Sequence, residues 1–293
     1  MRLAHLHLPN ITPFSRVSHL QETLTTRLLA YKKLTSQSPS QSPSPTPTST
    51  PSTPPDPTII TFTPNPVYTT GRRDLPPSNT ASTKTLSLPP GLEPIRSLLV
   101  PDGDGHSHSP AGERKAEYHP TLRGGQTTYH GPGQMVAYTI LDLKRLGLTP
   151  RCHIRVLENS VVDVLGRYGI PGAITEDPGV WVPSSSSTGA GAPRKITAVG
   201  VHLRRNISSY GIGFNVTEEP MWYFRQIVAC GLEGREATSL EGQGAQTSIN
   251  DVAGQFVEAF TRTINADFAC GDGASGEKID EVYNVREEDL LRA

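Results

Sequence analysis

A chain of 293 residues is long enough for one large domain or two small ones. Only 35% of it is apolar, below the usual range of about 45–50%, and it carries 27 prolines, which points to one globular domain diluted by inserts that do not fold. A formal net charge of −1 gives no overall pull toward nucleic acid or an anionic membrane, and no apolar run approaches the roughly 18 residues of a spanning helix.

The first 21 residues carry Arg2 and Arg16 and no acid before Glu22, a weak mitochondrial presequence signal that competes with a plain first strand and turn. Ser18 to Lys33 places Leu20, Leu24, Leu28 and Tyr31 on one helical face. Residues 35–57 are almost entirely Ser, Pro, Thr and Gln and cannot bury enough apolar surface to fold. Thr58 to Phe62 is a β-branched strand. Further inserts are expected near 75–92 and 101–117. The last of these holds Asp102, Asp104, His106, His108 and Glu113, but His106 and Ser107 stand where a calcium loop needs an oxygen ligand and a glycine, so no metal is expected.

Met135 to Leu143 reads as a strand buried on both faces. Thr149 caps a helix that has Pro150 at its first position, an inner face of Ile154, Leu157, Val161, Val164, Leu165 and Tyr168, and Gly169 as its stop. Gly179 to Val182 and Lys195 to Leu203 read as a hairpin whose overgrown turn is the Ser/Gly/Ala-rich 183–193. Gly211 to Val216 is a third strand. Ser248 and Asp251 form a capping box for a last long helix with Ile249, Val252, Phe256, Phe260 and Ile264 inward. Gly271, Gly273 and Gly276 follow a helix, not a strand, so they lack the context of a dinucleotide fingerprint. The result is an α/β (α+β) mixed sheet in a single domain over residues 1–270, with an acidic flexible tail over 271–293.

Three cysteines, Cys152, Cys230 and Cys270, are too few and too scattered for a disulfide framework, which implies a reducing compartment. Cys152 sits in a first helical turn that could lower its pKa, although an inert half-buried thiol is the commoner case. Cys230, followed by glycine and outside any apolar periodicity, suits an exposed thiol, with a packed one as the even alternative. Lys195 opens an apolar strand, where most lysines are solvated ends. Arg204 and Arg205 read as a solvated strand end or a surface for an acidic partner. The run Arg123-Gly124-Gly125-Gln126-Thr127-Thr128-Tyr129-His130-Gly131-Pro132-Gly133-Gln134 combines permissive backbone with reactive side chains, the composition of a binding loop.

That run resembles the signature of the octanoyltransferases of protein lipoylation. The resemblance extends to Tyr68–Arg73, to Pro178-Gly179-Val180-Trp181-Val182, to Lys195-Ile196-Thr197-Ala198-Val199-Gly200 and to Cys230-Gly231. Two positions depart from it. Ala229 stands where the family usually has proline, and Tyr210-Gly211 where it has His-Gly, so no histidine role is carried to Tyr210.

The resemblance implies the fold of biotin and lipoate–protein ligases, a mixed sheet flanked by helices. It implies Cys230 as acyl acceptor and Lys195 as its catalytic partner. Substrate would be held by Arg73, by Arg123, Gly124, Gly125, Gln126, Thr127, Thr128, Tyr129, His130 and Gly131, by Ala198, Val199 and Gly200, and by Gly211, Ile212 and Gly213. The implied reaction moves octanoate from octanoyl-acyl carrier protein to a lysine of lipoyl-domain proteins, such as 2-oxoacid dehydrogenase subunits and glycine cleavage H protein. No cofactor or metal is implied, and a mitochondrial monomer is expected. The glycine-rich loop would offer backbone N–H groups to the acyl carbonyl. The alternatives are an ATP-dependent lipoate or biotin ligase, an inactive carrier-protein binding module and a cysteine hydrolase pairing Cys230 with His130.

Overall fold

The computed structural model describes residues 1–36, 53–75, 88–100, 114–183, 191–231, 234–266 and 276–292. In chain order these form β1 (Arg2–Thr12), α1 (Phe14–Ser36), β2 (Thr58–Pro64), β3 (Val67–Thr70), a 3₁₀ stretch (Pro90–Leu98), β4 (Glu117–Pro120), β5 (Thr128–His130) and β6 (Gln134–Ile140). The second half adds α2 (Pro150–Arg167), β7 (Ala173–Ile174), β8 (Val180–Val182), β9 (Arg194–Arg204), β10 (Ile207–Asn215), α3 (Glu219–Phe224), α4 (Ile249–Asn265), β11 (Glu281–Asn284) and α5 (Glu287–Arg292).

Eight strands make one mixed sheet in the order β11-β1-β2-β6-β10-β9-β8-β7. β1 runs parallel to both β11 and β2, and every later pairing is antiparallel. Because side chains alternate along a strand, β6 feeds two cores. Met135 and Ala137 face the core built with α2 and α4, while Val136, Tyr138 and Ile140 face the one built on α1. Every residue of β6 is buried, including Gln134 and Thr139 beside its apolar run Met135–Tyr138. A smaller sheet, β4-β3-β5, encloses a third core in which Tyr68, Tyr129 and Tyr223 pack together.

The helix ends follow from their capping residues. Thr149 Oγ1 accepts the Cys152 N–H at 3.2 Å ahead of Pro150, and Gly169 turns left-handed (φ +68°) past the last turn of α2. Ser248 Oγ accepts the Asp251 N–H at 3.1 Å at the start of α4. Arg205 and Asn206, both with positive φ, make the two-residue turn that joins β9 to β10 and starts their pairing at Arg204↔Ile207.

At the N-terminus the structure follows the plain-strand reading, Arg2–Thr12 being the second strand of the sheet. Several expectations are corrected. The insert boundaries retract: α1 continues to Ser36, and Asp56 accepts from Arg2 and from the Tyr283 hydroxyl at 2.8 Å. Pro90–Leu98 and Glu117–Pro120 are regular, with Leu92 buried in the third core. The central parts of the four inserts lie outside the described residues. The acidic tail is not loose where described. Asp280 N–H donates to Met1 O at 2.9 Å, β11 pairs with β1, and Ile279 is buried in the main core. The edge of β1 needed partners for its backbone groups, and the tail supplies them. Cys152 is fully buried, with Thr149 Oγ1 2.9 Å from its sulfur, which suits a structural thiol.

Truncation after Glu277 tests the tail. Burying one isoleucine side chain is worth roughly 1.5–3 kcal/mol, so urea unfolding should show a loss of at least about 2 kcal/mol. A tail packed on nothing would leave the midpoint where it was.

Candidate active site

Lys195 stands at the start of β9, and its backbone is fixed on both sides. On one side β8 pairs Trp181 with Lys195 after a register shift. On the other, Lys195 N–H donates to Glu236 O at 2.8 Å and Lys195 O accepts the Thr238 N–H at 2.9 Å. The register shift marks a bulge, which re-aims a side chain without breaking the sheet. Lys195 Nζ donates to Pro178 O at 3.0 Å and lies 4.6 Å from the centroid of the Trp181 ring. Both contacts favour the ammonium form. The Arg235 guanidinium lies 5.4 Å from the same ring.

Two cavities meet at this lysine. The larger, about 360 Å³, is walled by Met221 and Phe224 of α3, by Arg225 and Arg235, and by Val228 and Ala229. The smaller, about 210 Å³, is lined by Arg73, Arg123, Gly124 and Gly125 and by the apolar Tyr138, Ile154, Val199 and Ile212. Thr128, Lys195, Ala198 and Gly213 belong to both. Cys230 lies in the 3₁₀ turn Ala229–Gly231, whose preceding residues line the larger cavity. Its side chain is outside what the structure describes. A Cβ at Gly231 would overlap the amide of Gln126, which places the glycine-rich loop directly against this turn.

The loop is anchored to the strand before it. Arg123 Nη2 donates to Thr69 O at 2.8 Å and to Thr69 Oγ1 at 2.9 Å. Asp74 Oδ2 accepts the Thr127 N–H at 2.6 Å and the Thr127 hydroxyl at 2.7 Å. Gly124 N–H donates to Val201 O at 2.9 Å. The expectation that the loop's amides serve a ligand is therefore corrected at two positions, because Gly124 and Thr127 commit theirs to the fold.

His130 is buried at the floor of the smaller cavity, with Nδ1 2.7 Å from Gln134 Oε1. Gln134 Nε2 donates to Asn215 Oδ1 at 2.8 Å, and Asn215 Nδ2 donates to Thr238 O at 2.9 Å. That chain leaves Gln134 Oε1 as an acceptor, so His130 Nδ1 carries the proton. Gly213 permits the arrangement, since a Cβ there would stand 3.0 Å from His130 Cε1 and Nδ1. Burial, and after it the nearby Arg123 guanidinium, lower the His130 pKa to about 4.

Of the residues expected at the site, Lys195, Arg73, Arg123, Gly124, Gly125, Thr128, His130, Ala198, Val199, Gly200, Gly211, Ile212 and Gly213 come together around the cavities. Four expected there line neither cavity. Tyr129 stacks on Tyr223 with ring centroids 4.2 Å apart, in the third core. Thr127 is bound to Asp74, Gly131 is packed against the Tyr129 ring, and Gln126 lies beside Gly231. Sequence reasoning missed Asp74, Glu158 and the network role of Asn215, whereas Tyr210, singled out by its departure from the family pattern, does wall the smaller cavity. Glu158 alone left a signal, being a charged residue on the inner stripe of α2 between Ile154 and Val161. Among the described residues no group of three His, Cys, Asp or Glu side chains could hold a metal ion; Asp102 to Glu113 lie outside them.

Comparison with known proteins adds to this geometry. Residues 48–261 match the family described as lipoyl protein ligase A/B catalytic domain. The chain is 36% identical over 243 residues to a probable octanoyltransferase of Schizosaccharomyces pombe, covering 83% of this chain and 86% of that protein. It is 39% identical over 146 residues to the mitochondrial octanoyl-acyl-carrier-protein:protein N-octanoyltransferase of Xenopus tropicalis, covering 50% of this chain and 57% of that protein. Among solved structures, P. falciparum LipL1 in complex with lipoate superposes with a TM-score of 0.56 at 10% identity, covering 100% of this chain and 68% of that one. At that identity the likeness is one of fold.

The pKa of His130 has a consequence for stability. In the unfolded chain a histidine takes up its proton near pH 6.5, whereas folded His130 refuses it until about 4. The contribution is complete above 6.5 and is lost as the pH falls from 6.5 through 4. His5 and His153, also lowered to about 4 by burial, add in the same direction. Unfolding free energy should be level above pH 6.5 and decline across that window in urea titrations, and ring NMR should show His130 neutral at about pH 5.5.

Proposed function

Because the chain belongs to the lipoyl protein ligase A/B catalytic-domain family, and within it to the octanoyltransferases, we propose that Cys230 and Lys195 carry octanoate from octanoyl-acyl carrier protein to a lysine of a lipoyl-domain protein. The observation that carries this reading is the place of Lys195: its ammonium stands where two cavities meet, and the turn bearing Cys230 walls the larger of them. The larger cavity suits the pantetheine arm of the donor and the smaller, with Tyr138, Ile154, Val199 and Ile212 in its lining, the octanoyl chain. Burying seven chain carbons at about 0.8 kcal/mol each would gain roughly 5–6 kcal/mol.

In the first half-reaction the Cys230 thiolate, favoured by the neighbouring ammonium, attacks the thioester carbonyl. A new carbon–sulfur bond forms, the bond to the pantetheine sulfur breaks, and Lys195 protonates the departing thiolate. In the second, the acceptor lysine's amine attacks the acyl-cysteine. Lys195, now neutral, takes the amine proton, and Cys230 leaves as thiolate. Thioester exchange is nearly isoenergetic and amide formation runs downhill, so ATP is not consumed.

Acceptors would be lipoyl-bearing 2-oxoacid dehydrogenase subunits and glycine cleavage H protein, with the protein acting as a monomer. That the Xenopus relative is mitochondrial supports the same compartment here. Intact-mass spectrometry after mixing with octanoyl-carrier protein tests the reading. An added octanoyl mass on the enzyme without ATP, then passed to a lipoyl domain, is expected; no transfer to any lipoyl domain would overturn it, and ATP dependence would indicate a ligase.

Variants separate the two residues. Cys230→Ser should form no acyl-enzyme, because a hydroxyl gains too little from one ammonium. Lys195→Ala should acylate slowly, since a thiol of pKa near 8.5 is still a few per cent thiolate at neutral pH, and should then stall with its acceptor amine protonated. Raising the pH should partly rescue Lys195→Ala but not Cys230→Ser, as followed by single-turnover mass spectrometry over a pH series.

A further inference from the structure

Beneath Lys195 lies a carboxylate that the reaction as written does not use. Glu158 sits on α2 and is 1% exposed, on the inner face that packs against the sheet. A buried carboxylate is costly unless hydrogen-bonded and compensated, so its partners indicate what it is for. Oε1 accepts the Gly179 N–H at 2.8 Å, and Oε2 accepts from Arg155 Nη1 at 2.9 Å, one turn away on the same helix. Gly179 follows Pro178, whose carbonyl accepts from Lys195 Nζ. Gly179 also has φ +125°, and a Cβ on it would stand 3.3 Å from Lys195 Cε and 3.5 Å from Nζ. The carboxylate, the turn and the ammonium are thus stacked in direct succession.

We propose that Glu158 is a positioning residue: by holding the Gly179 amide it fixes the turn whose Pro178 carbonyl aims Lys195, and its charge keeps that lysine protonated for the first half-reaction. This rests on the acyl-transfer roles given above to Lys195 and Cys230. The charged groups facing the carboxylate are Arg155 on its own helix and Lys195 from the sheet; Asp177 shares the smaller cavity with Lys195, and Arg235 shares the Trp181 ring. Burial raises the Glu158 pKa, while the Gly179 amide, Arg155 and Lys195 all oppose that rise. A residue placed only for packing would have no need of those three.

Charge and geometry separate in Glu158→Gln, which retains an oxygen for Gly179 but loses the negative charge. Lys195 in wild type and variant is followed by carbon NMR of labelled lysine Cε across a pH series. Its midpoint should fall by about one unit in Glu158→Gln, the size expected for removing one charge at this range. At pH values above the lowered midpoint, single-turnover acylation from octanoyl-carrier protein should slow by up to about tenfold, with transfer from a preformed acyl-enzyme not slowed, because Lys195 is then more often neutral and available to take the amine proton. Glu158→Ala, which also releases the turn, should slow both steps.

An unmoved Lys195 midpoint in folded Glu158→Gln would overturn the proposal. So would equal slowing of the two half-reactions. Should the variant not fold, wild type carries the test: the Glu158 carboxyl titration must be mirrored at the Gly179 amide and at Lys195 Cε, and independent titrations would overturn the coupling. The NMR arm needs no turnover. A shifted midpoint in an enzyme that never becomes acylated would retire the acyl-cysteine reading while leaving the positioning contact intact.

Discussion

The antiparallel ladder joining β6, β10 and β9 sets the floor of the site and the strand on which Lys195 stands. Its register sets Gly213 opposite both Val136 and Ala198, and Gly211 opposite both Tyr138 and Gly200. A slip of one residue would turn each of these strands over and send the cavity-lining positions to the opposite face. The tight turn at Arg205 and Asn206 pins the β9–β10 register from one end. The side-chain chain from His130 through Gln134 to Asn215 pins β10 to β6 from the other. Glycines along β10 let the loop and strand layers approach more closely than side chains would permit. The site therefore depends on backbone spacing before it depends on any reactive group.

The buried polar side chains of His130, Gln134 and Asn215 are satisfied by one another and by the backbone. Asn215 closes the His130 network on the Thr238 carbonyl, and Thr238 is in turn hydrogen-bonded to the backbone of Lys195. A half-satisfied network of this kind would cost more than an apolar core. His130 is accordingly fixed as a neutral ring with one tautomer, a wall and hydrogen-bonding element. That is a poor arrangement for the base of a cysteine hydrolase, which must accept a proton and carry the charge.

How much could be read without coordinates depended on the kind of signal. The strongly apolar run of β6, the Thr149–Pro150 start of α2 and the Ser248–Asp251 cap of α4 are local rules, and the structure follows them. The tail was misread because its affinity is for the open edge of β1, nearly the whole chain away, and no local pattern encodes that edge. Lys195 resembled any solvated strand end until motif resemblance singled it out; the segment around Ala237 that encloses it comes from a distant loop. Tyr129 was assigned to the loop's working face because its neighbours are there, yet alternation along β5 turns it into the aromatic core. Asp74 illustrates the reverse case, a single acid after two arginines whose role appears only when the chain returns with Thr127.

Tyr210 shows how the two faces of the sheet are linked at the smaller cavity. Its φ of +62° is unfavourable for a residue with a side chain, costing roughly 1–2 kcal/mol, and such backbone persists only where its surroundings over-determine it. Here they do. The Tyr210 N–H donates to Gln21 Oε1 of α1 at 2.6 Å, and its ring meets Tyr138 edge-on at 5.4 Å. Gly211 follows at a point where any Cβ would run into the backbone of Ala137. The helix on the far face thus holds a strained residue whose side chain walls the cavity beside the loop. Burial raises the hydroxyl's pKa, so the wall there is a neutral phenol, where the octanoyltransferase pattern would place an imidazole. An aromatic ring held by strain and neutral across the working pH range gives that wall a fixed shape, and shape is what an apolar chain can be measured against.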